Sequence, residues 1–187
     1  MDQLIKSLCE LEKLKTIERG LTVGNRKESS AEHSWSCLLI ADILLDQVDE
    51  ELDRLKVFEY LIYHDVPEVY AGDAKFNNPE EMRMKEQKEA EAIQKILSFI
   101  PNPQRFNKIL SEYEHRQTRE AEFAKAIDCI DSCIRNLNGE NSSPEVGFTE
   151  QLIRNKYKPH VRKFPFIDHL FETIMNQLVT SNKLSIS

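Results

Sequence analysis

The sequence predicts an all-α protein. Three observations lead there: apolar residues recur at three- and four-residue steps almost throughout, no run alternates β-branched with polar residues, and only five glycines and seven prolines punctuate 187 residues. With 40% hydrophobic and 30% charged residues, the composition is that of a folded helical domain. The length suits one domain, read as residues 1–180 with a frayed tail at 181–187, and a chain of this size buries roughly two-thirds of its unfolded surface without disulfide staples. Seven to eight helices fit the pattern.

Leu4, Leu8, Leu11 and Leu14 place one apolar stripe on a first, amphipathic helix in an outer layer. From Thr16 to Ser30 no period holds, and Gly20, Gly24 and Asn25 predict a loop carrying Arg19, Arg26 and Lys27. Ser29 or Ser30 caps a second helix through Trp35, Leu38, Leu39, Ile40, Ala41, Ile43, Leu44 and Leu45; apolar residues around most of its circumference mark it as the central, enclosed element, with Trp35 in the core. A third helix from about Leu52 to Tyr70 reaches His64 and Asp65, and Pro67 kinks or ends it. After a loop at Gly72-Asp73, Asn77-Asn78-Pro79 reads as a cap with proline at the first helical position, opening a long charged helix towards Ile100 whose Glu80–Glu91 stretch is a wet face.

Pro101 and Pro103 break the chain before a helix with Phe106, Ile109, Leu110 and Tyr113. Phe123, Ala126, Ile127, Ile130, Ile134 and Leu137 define the next, which Gly139 stops. A loop over 138–144 precedes two more helices, Phe148–Tyr157 and Phe164–Leu178.

The net charge of −7 opposes binding to a nucleic-acid polymer, which needs cations against phosphates. Cys9, Cys37, Cys129 and Cys133 form no Cys-x-x-Cys pair and read as reduced, buried thiols of a cytoplasmic protein. Asp2, Glu10 and Glu12 break the N-terminal apolar steps, so no signal peptide is expected, and no stretch approaches the roughly 20 apolar residues of a membrane span.

His33, His64, Asp65 and Asp128 stand in otherwise apolar helical stretches. Burying such groups costs hydration, and a divalent cation is the simplest compensation. Two imidazoles and two carboxylates suit Mn²⁺, Co²⁺, Fe²⁺, Ni²⁺ or Zn²⁺ better than the oxygen-preferring Mg²⁺ or Ca²⁺. Adjacent side chains on a helix point roughly 100° apart, so His64 and Asp65 can flank one ion while other helices bring the remaining ligands.

The order His33…His64-Asp65…Asp128 resembles the HD-domain superfamily of metal-dependent phosphohydrolases. The segment Arg26-Lys27-Glu28-Ser29-Ser30-Ala31-Glu32-His33-Ser34 is similar to that around the first histidine of its 5′-deoxynucleotidase (YfbR-like) branch. His64-Asp65-Val66-Pro67-Glu68-Val69-Tyr70-Ala71-Gly72-Asp73 is similar to the branch's His-Asp-x-x-Glu-x-x-x-Gly-Asp stretch, and Lys125-Ala126-Ile127-Asp128 to its last ligand motif. The resemblance, over roughly residues 1–170, implies a homodimeric helical enzyme in which one divalent ion activates water against (deoxy)nucleoside 5′-monophosphates. It implies Glu68 as general acid/base, Asp73 as an acceptor for a sugar hydroxyl or a partner in proton transfer, and Arg19 and Arg26 as phosphate-binding guanidiniums. Lys75 is a further phosphate candidate, and Asp131 a group that could orient a ligand. Where the branch often has Arg-Trp this chain has Arg19-Gly20. Two other readings stay open: a di-iron oxygenase, for which the interval before Asp128 offers only His115, and a noncatalytic nucleotide-binding protein retaining the fold. His115, His160 and His169 have no ligand-like companions.

Overall fold

A computed structural model of the chain describes residues 1–74, 78–139 and 149–184. Helix α1 (Asp2–Glu12) runs into a 3₁₀ turn at Lys13–Thr16 and then two strands, β1 (Glu18–Val23) and β2 (Arg26–Ser29). Helices α2 (Ser30–Leu45), α3 (Arg54–Tyr63), α4 (Glu68–Ala71), α5 (Pro79–Leu97), α6 (Pro103–Glu114), α7 (Arg119–Asn138), α8 (Glu150–Val161) and α9 (Pro165–Thr180) follow. The all-α expectation holds, with the small antiparallel β1–β2 hairpin as its one addition among the described residues. Lys75, Asn77, most of the 138–144 loop, Phe148 and residues 185–187 lie outside the described residues.

The centre of the bundle is α7, not α2. Ala121, Phe123, Ala124, Ala126, Ile127, Cys129, Ile130 and Cys133 are all buried, and α7 packs against α2, α3, α6, α8, α9 and β1. Small side chains at 121, 124, 126, 129 and 133 let neighbouring helices approach from several sides while Phe123, Ile127 and Ile130 fill the spaces between them. By contrast α2 buries only the face bearing His33, Cys37, Ala41 and Leu44. Leu38, Ile40 and Leu45 are partly buried against the core, while Trp35 (65% exposed), Leu39 and Ile43 form an outward stripe, which corrects the expectation of an enclosed helix with a core tryptophan. Continuous apolarity around a helix shows that water is excluded from it somewhere, but not by which partner.

Helix α1 departs from its reading in the same way. Leu4, Ile5 and Leu8 are exposed, and only the end of the stripe packs, with Leu14 and partly Leu11 joining Val66, Val69, Ile96, Ile100, Phe106 and Leu110 in a second apolar cluster. Ser7 is the buried residue of α1, donating to the Gln3 and Phe99 carbonyls. Cys9 is exposed, whereas Cys37, Cys129 and Cys133 are buried free thiols.

The Thr16–Ser30 segment is a hairpin instead of a loop. Gly24 takes φ +56 in the two-residue turn between the paired Val23 and Arg26, a conformation cheap only for glycine. A ladder irregularity between Glu18 and Thr22 and the mixed polarity of the strands hide it from a search for alternation. At its end Ser29 closes a capping box on α2: the Ser29 side chain accepts from the Glu32 amide, and the Glu32 carboxylate accepts from the Ser29 amide. Asn78 caps α5 ahead of Pro79, and Thr118 caps α7.

The expected frayed tail is ordered as far as it is described. Leu184 is buried in the main core, and the Lys183 ammonium donates to the Leu137 and Gly139 carbonyls, covering the end of α7. Helix α9 contributes Phe171, fully buried against that core. Phe171→Ala should cost about 3–5 kcal/mol through lost transfer and the void left behind. Chemical denaturation at equilibrium measures it, and a loss below 1 kcal/mol would contradict the packing described.

Candidate metal centre

Three elements deliver four donor side chains to one point. His33 lies on the first turn of α2, whose start the Ser29–Glu32 box fixes. His64 follows α3 directly, its amide still bonded to the Tyr60 carbonyl at 2.9 Å, and Asp65 begins a tightened stretch imposed by Pro67. There the Val66 amide bonds Tyr63 and the Glu68 amide bonds Asp65, three-residue steps that break the expected third helix into α3 and α4. Asp128 comes from the middle of α7.

The separations are short. His33 Nε2 lies 3.1 Å from Asp128 Oδ1, 3.6 Å from Asp65 Oδ2 and 3.3 Å from His64 Nε2, and His64 Nε2 lies 3.3 Å from Asp65 Oδ1. His64 Nδ1 donates to the Leu61 carbonyl at 2.9 Å, so its Nε2 presents a lone pair. His33 Nδ1 sits 2.6 Å from Asp131 Oδ2 and is fixed likewise. The Nε2 atoms of both imidazoles and the carboxylates of Asp65 and Asp128 therefore face one another. This donor set fits a borderline divalent ion.

The surroundings support positive charge. The Asp128 carboxyl is held well below its usual range against burial by Lys125 (2.7 Å) and His33, and Tyr113 donates to its Oδ2 at 3.2 Å. The His33 ring is pushed well above its ordinary value, against burial, with hydrogen bonds to Asp128 and Asp131 favouring its protonated form. Cys37 Sγ lies almost equally far from both nitrogens of His33, 3.7 Å from Nδ1 and 3.6 Å from Nε2. Its thiol, pushed up to about 12 by burial, packs against the ring as a neutral group.

Glu68 opens α4 one turn beyond the doublet, buried, with its carboxylate accepting from Ser30 Oγ at 2.5 Å. Burial, with Asp65 and Asp73 nearby, raises its carboxyl well above the usual range. Gly72, at φ +73, ends α4 and turns Asp73 back to accept from the Gly20 amide at 3.1 Å. Arg19 reaches in from β1, with Nη1 3.1 Å from Asp65 Oδ2 and Nε 3.4 Å from Glu28 Oε2, and against burial it is kept charged by Asp65, Asp73, Glu68 and Asp128.

These groups line a cavity shared by Arg19, Gly20, His64, Asp65, Glu68, Asp73 and Asp128 with Lys85, Glu89, Lys125, Lys156 and Tyr157. Arg26 is not brought to it. Its guanidinium is exposed and forked onto Glu32 at the outer end of the hairpin, which leaves Arg19 as the arginine of the cavity. Sequence reasoning missed Lys85, Lys156 and the buried Glu28. A signal existed for the first: Lys85 and Glu89 share a helix face with the buried Ala92 and Ile96, so they point inward along with them. Lys156 and Glu28 offered no such sign.

Fold and site together define a helical protein built around a histidine–aspartate centre for a divalent cation. The chain belongs to the HD domain family, whose model matches residues 11–167. No curated protein matches the sequence. Among solved structures it is similar to a predicted metal-dependent phosphohydrolase from Magnetospirillum magnetotacticum, 26% identical with a TM-score of 0.86, covering 97% of this chain and 93% of that one. An HD-domain phosphohydrolase from Listeria innocua shares the fold at 21% identity and a TM-score of 0.71, covering 94% and 89%. So does a conserved hypothetical protein from Pyrococcus furiosus at 24% identity and 0.64, covering 90% and 99%. No helix among the described residues is long and apolar enough to cross a membrane.

Burial, Lys125 and Lys85 push the Lys156 amine down to about 8 from its ordinary 10.5. Between those values the unfolded chain holds a proton that the folded chain has released, so this group's contribution to stability rises with pH across the window. The stability of the native sequence relative to Lys156→Met should therefore grow from pH 7.5 to 10.5 in denaturant titrations. A flat difference would remove Lys156 from its crowded position.

Proposed function

We propose that this protein is a metal-dependent phosphohydrolase of the 5′-deoxynucleotidase (YfbR-like) kind, releasing phosphate from nucleoside 5′-monophosphates and foremost from deoxyribonucleotides. The observation that carries the reading is the convergence of His33, His64, Asp65 and Asp128, the last three of them lining a cavity that also bears Lys85, Lys125 and Lys156. A divalent ion held by the four donors supplies Lewis acidity towards a phosphoryl oxygen and lowers the pKa of water. The chain does the rest.

Arg19 and the lysines attract the phosphate and orient it towards the donors, the guanidinium through paired N–H groups. Glu68, raised by burial and aimed by Ser30, moves the proton between water and the leaving 5′-oxygen. Asp73, tied to the Gly20 amide, faces the same space and accepts from the sugar. Gly20 meets nothing within 4 Å of where a Cβ would stand, so the sugar side of the cavity is open. The net charge of −7 supports a small anionic substrate over a polymer. A noncatalytic nucleotide binder needs the same donors but not a buried, hydroxyl-oriented Glu68.

Phosphate release from a panel of nucleoside monophosphates, after chelation and add-back of Mn²⁺, Co²⁺ or Zn²⁺, tests the reading. Activity should vanish on chelation and return with metal, and no metal-dependent release from any member would overturn it. Glu68→Gln should retain metal while lowering kcat by about 10²–10⁴; unchanged turnover would assign the proton transfer elsewhere.

The protein is further proposed to be a homodimer in the cytoplasm, joined through the α2 stripe of Trp35, Leu39 and Ile43. Sedimentation should give twice the monomer mass, and Trp35→Glu half of it. A monomeric native protein at micromolar concentration would rule the dimer out.

A further inference from the structure

The two imidazoles of the centre are held by different means. His64 Nδ1 donates to a backbone carbonyl, that of Leu61, which no side-chain change can remove. His33 Nδ1 donates instead to a carboxylate, Asp131 Oδ2 at 2.6 Å, and both residues are buried, His33 fully and Asp131 to 2% exposure. Asp131 is itself fixed, because Ser36 Oγ donates to its second oxygen. It lies three residues beyond Asp128, so one face of α7 holds both nitrogens of His33: Asp128 Oδ1 at 3.1 Å from Nε2 and Asp131 Oδ2 at Nδ1.

A carboxylate behind an imidazole does two things a carbonyl does less well. It selects the Nδ1–H tautomer, leaving Nε2 as the free lone pair, and its negative charge makes that lone pair a stronger donor. We infer that Asp131, clamped by Ser36, is a positioning residue for the metal centre: it fixes His33 in the tautomer that offers Nε2 and makes His33 the stronger of the two imidazole donors. At Nδ1 the short contact is Asp131 Oδ2 at 2.6 Å, with the weaker Cys37 Sγ at 3.7 Å. This inference rests on the metal-centre reading above.

Asp131→Asn separates charge from geometry. The asparagine carbonyl can still accept from Nδ1–H while its amide donates to Ser36 Oγ, so the shape of the contact survives and the charge is lost. Asp131→Ala removes both, and Ser36→Ala frees the carboxylate without neutralising it. Zn²⁺ and Co²⁺ affinities of the whole protein, measured by competition with a chromogenic chelator, should fall about 10- to 100-fold in Asp131→Ala, less in Asp131→Asn, and least in Ser36→Ala. Nitrogen chemical shifts of the His33 ring in Zn²⁺-loaded protein should report Nδ1–H with Nε2 as the donor in the native sequence and a mixture in Asp131→Ala, with circular dichroism unchanged.

Equal metal affinity across the series, or an unaltered His33 tautomer in Asp131→Ala, would overturn the positioning role while leaving the centre intact. A native protein that binds neither ion would instead remove the metal-centre reading itself. If Asp131→Ala fails to fold, Asp131→Asn and Ser36→Ala decide by the same affinities.

Discussion

Uncompensated negative charge in a dry place is the constraint around which this structure is arranged. Asp65, Asp128 and Asp131 crowd around the two imidazoles within 3.6 Å, and such a cluster is far costlier to bury than to leave in water. Arg19 and Lys125 answer part of that charge from inside the cavity, each paired with one of the aspartates. The remainder calls for a multivalent cation. The binding energy of that ion is thereby also folding energy, since the donors come from α2, from the segment after α3 and from α7, and no unfolded chain holds them together.

Rigidity follows from where the donors are mounted. Asp128 and Asp131 ride on α7, which is wrapped by other helices and filled on one side by Phe123, Ile127 and Ile130. A helix so enclosed moves little, so the two carboxylates grip His33 from a fixed platform, and side chains on α2 and α3 adjust to it. The hairpin has the opposite character, with one partner strand and a glycine turn, and it carries Arg19, the side chain best placed to meet a phosphate. Helices α2 and α7 and the segment after α3 thus carry the histidines and aspartates of the cluster, and the hairpin carries Arg19.

Much of this was legible in the residues because the chemistry is strongly typed. His33, His64, Asp65 and Asp128 are expensive in apolar surroundings, so their placement there pointed to a shared purpose before their distances were known. Capping followed from local rules at Ser29 and at Asn78-Pro79, where side-chain reach settles the outcome. Burial was another matter. Trp35 and the Leu4–Leu8 stripe are apolar yet exposed, because periodicity identifies which residues share a face but not what the face meets. Arg26 failed for a related reason: its neighbour Glu32 offers a bidentate partner on the surface, and a guanidinium takes the nearest carboxylate that costs no desolvation.

The make-up of the cavity explains why the basic groups could not be found by motif. Lys85, Lys125 and Lys156 come from α5, α7 and α8, three helices whose order in the chain says nothing of their meeting. Each is individually an ordinary helical lysine, and burial together with their crowding lowers the Lys156 amine. Like charges brought together raise the free energy of the empty cavity, and an anion that enters relieves that repulsion as it binds. Lys125 and Lys85 meet carboxylates of their own at Asp128 and Glu89, so acids and amines share one cavity and each offsets part of the other's cost of burial.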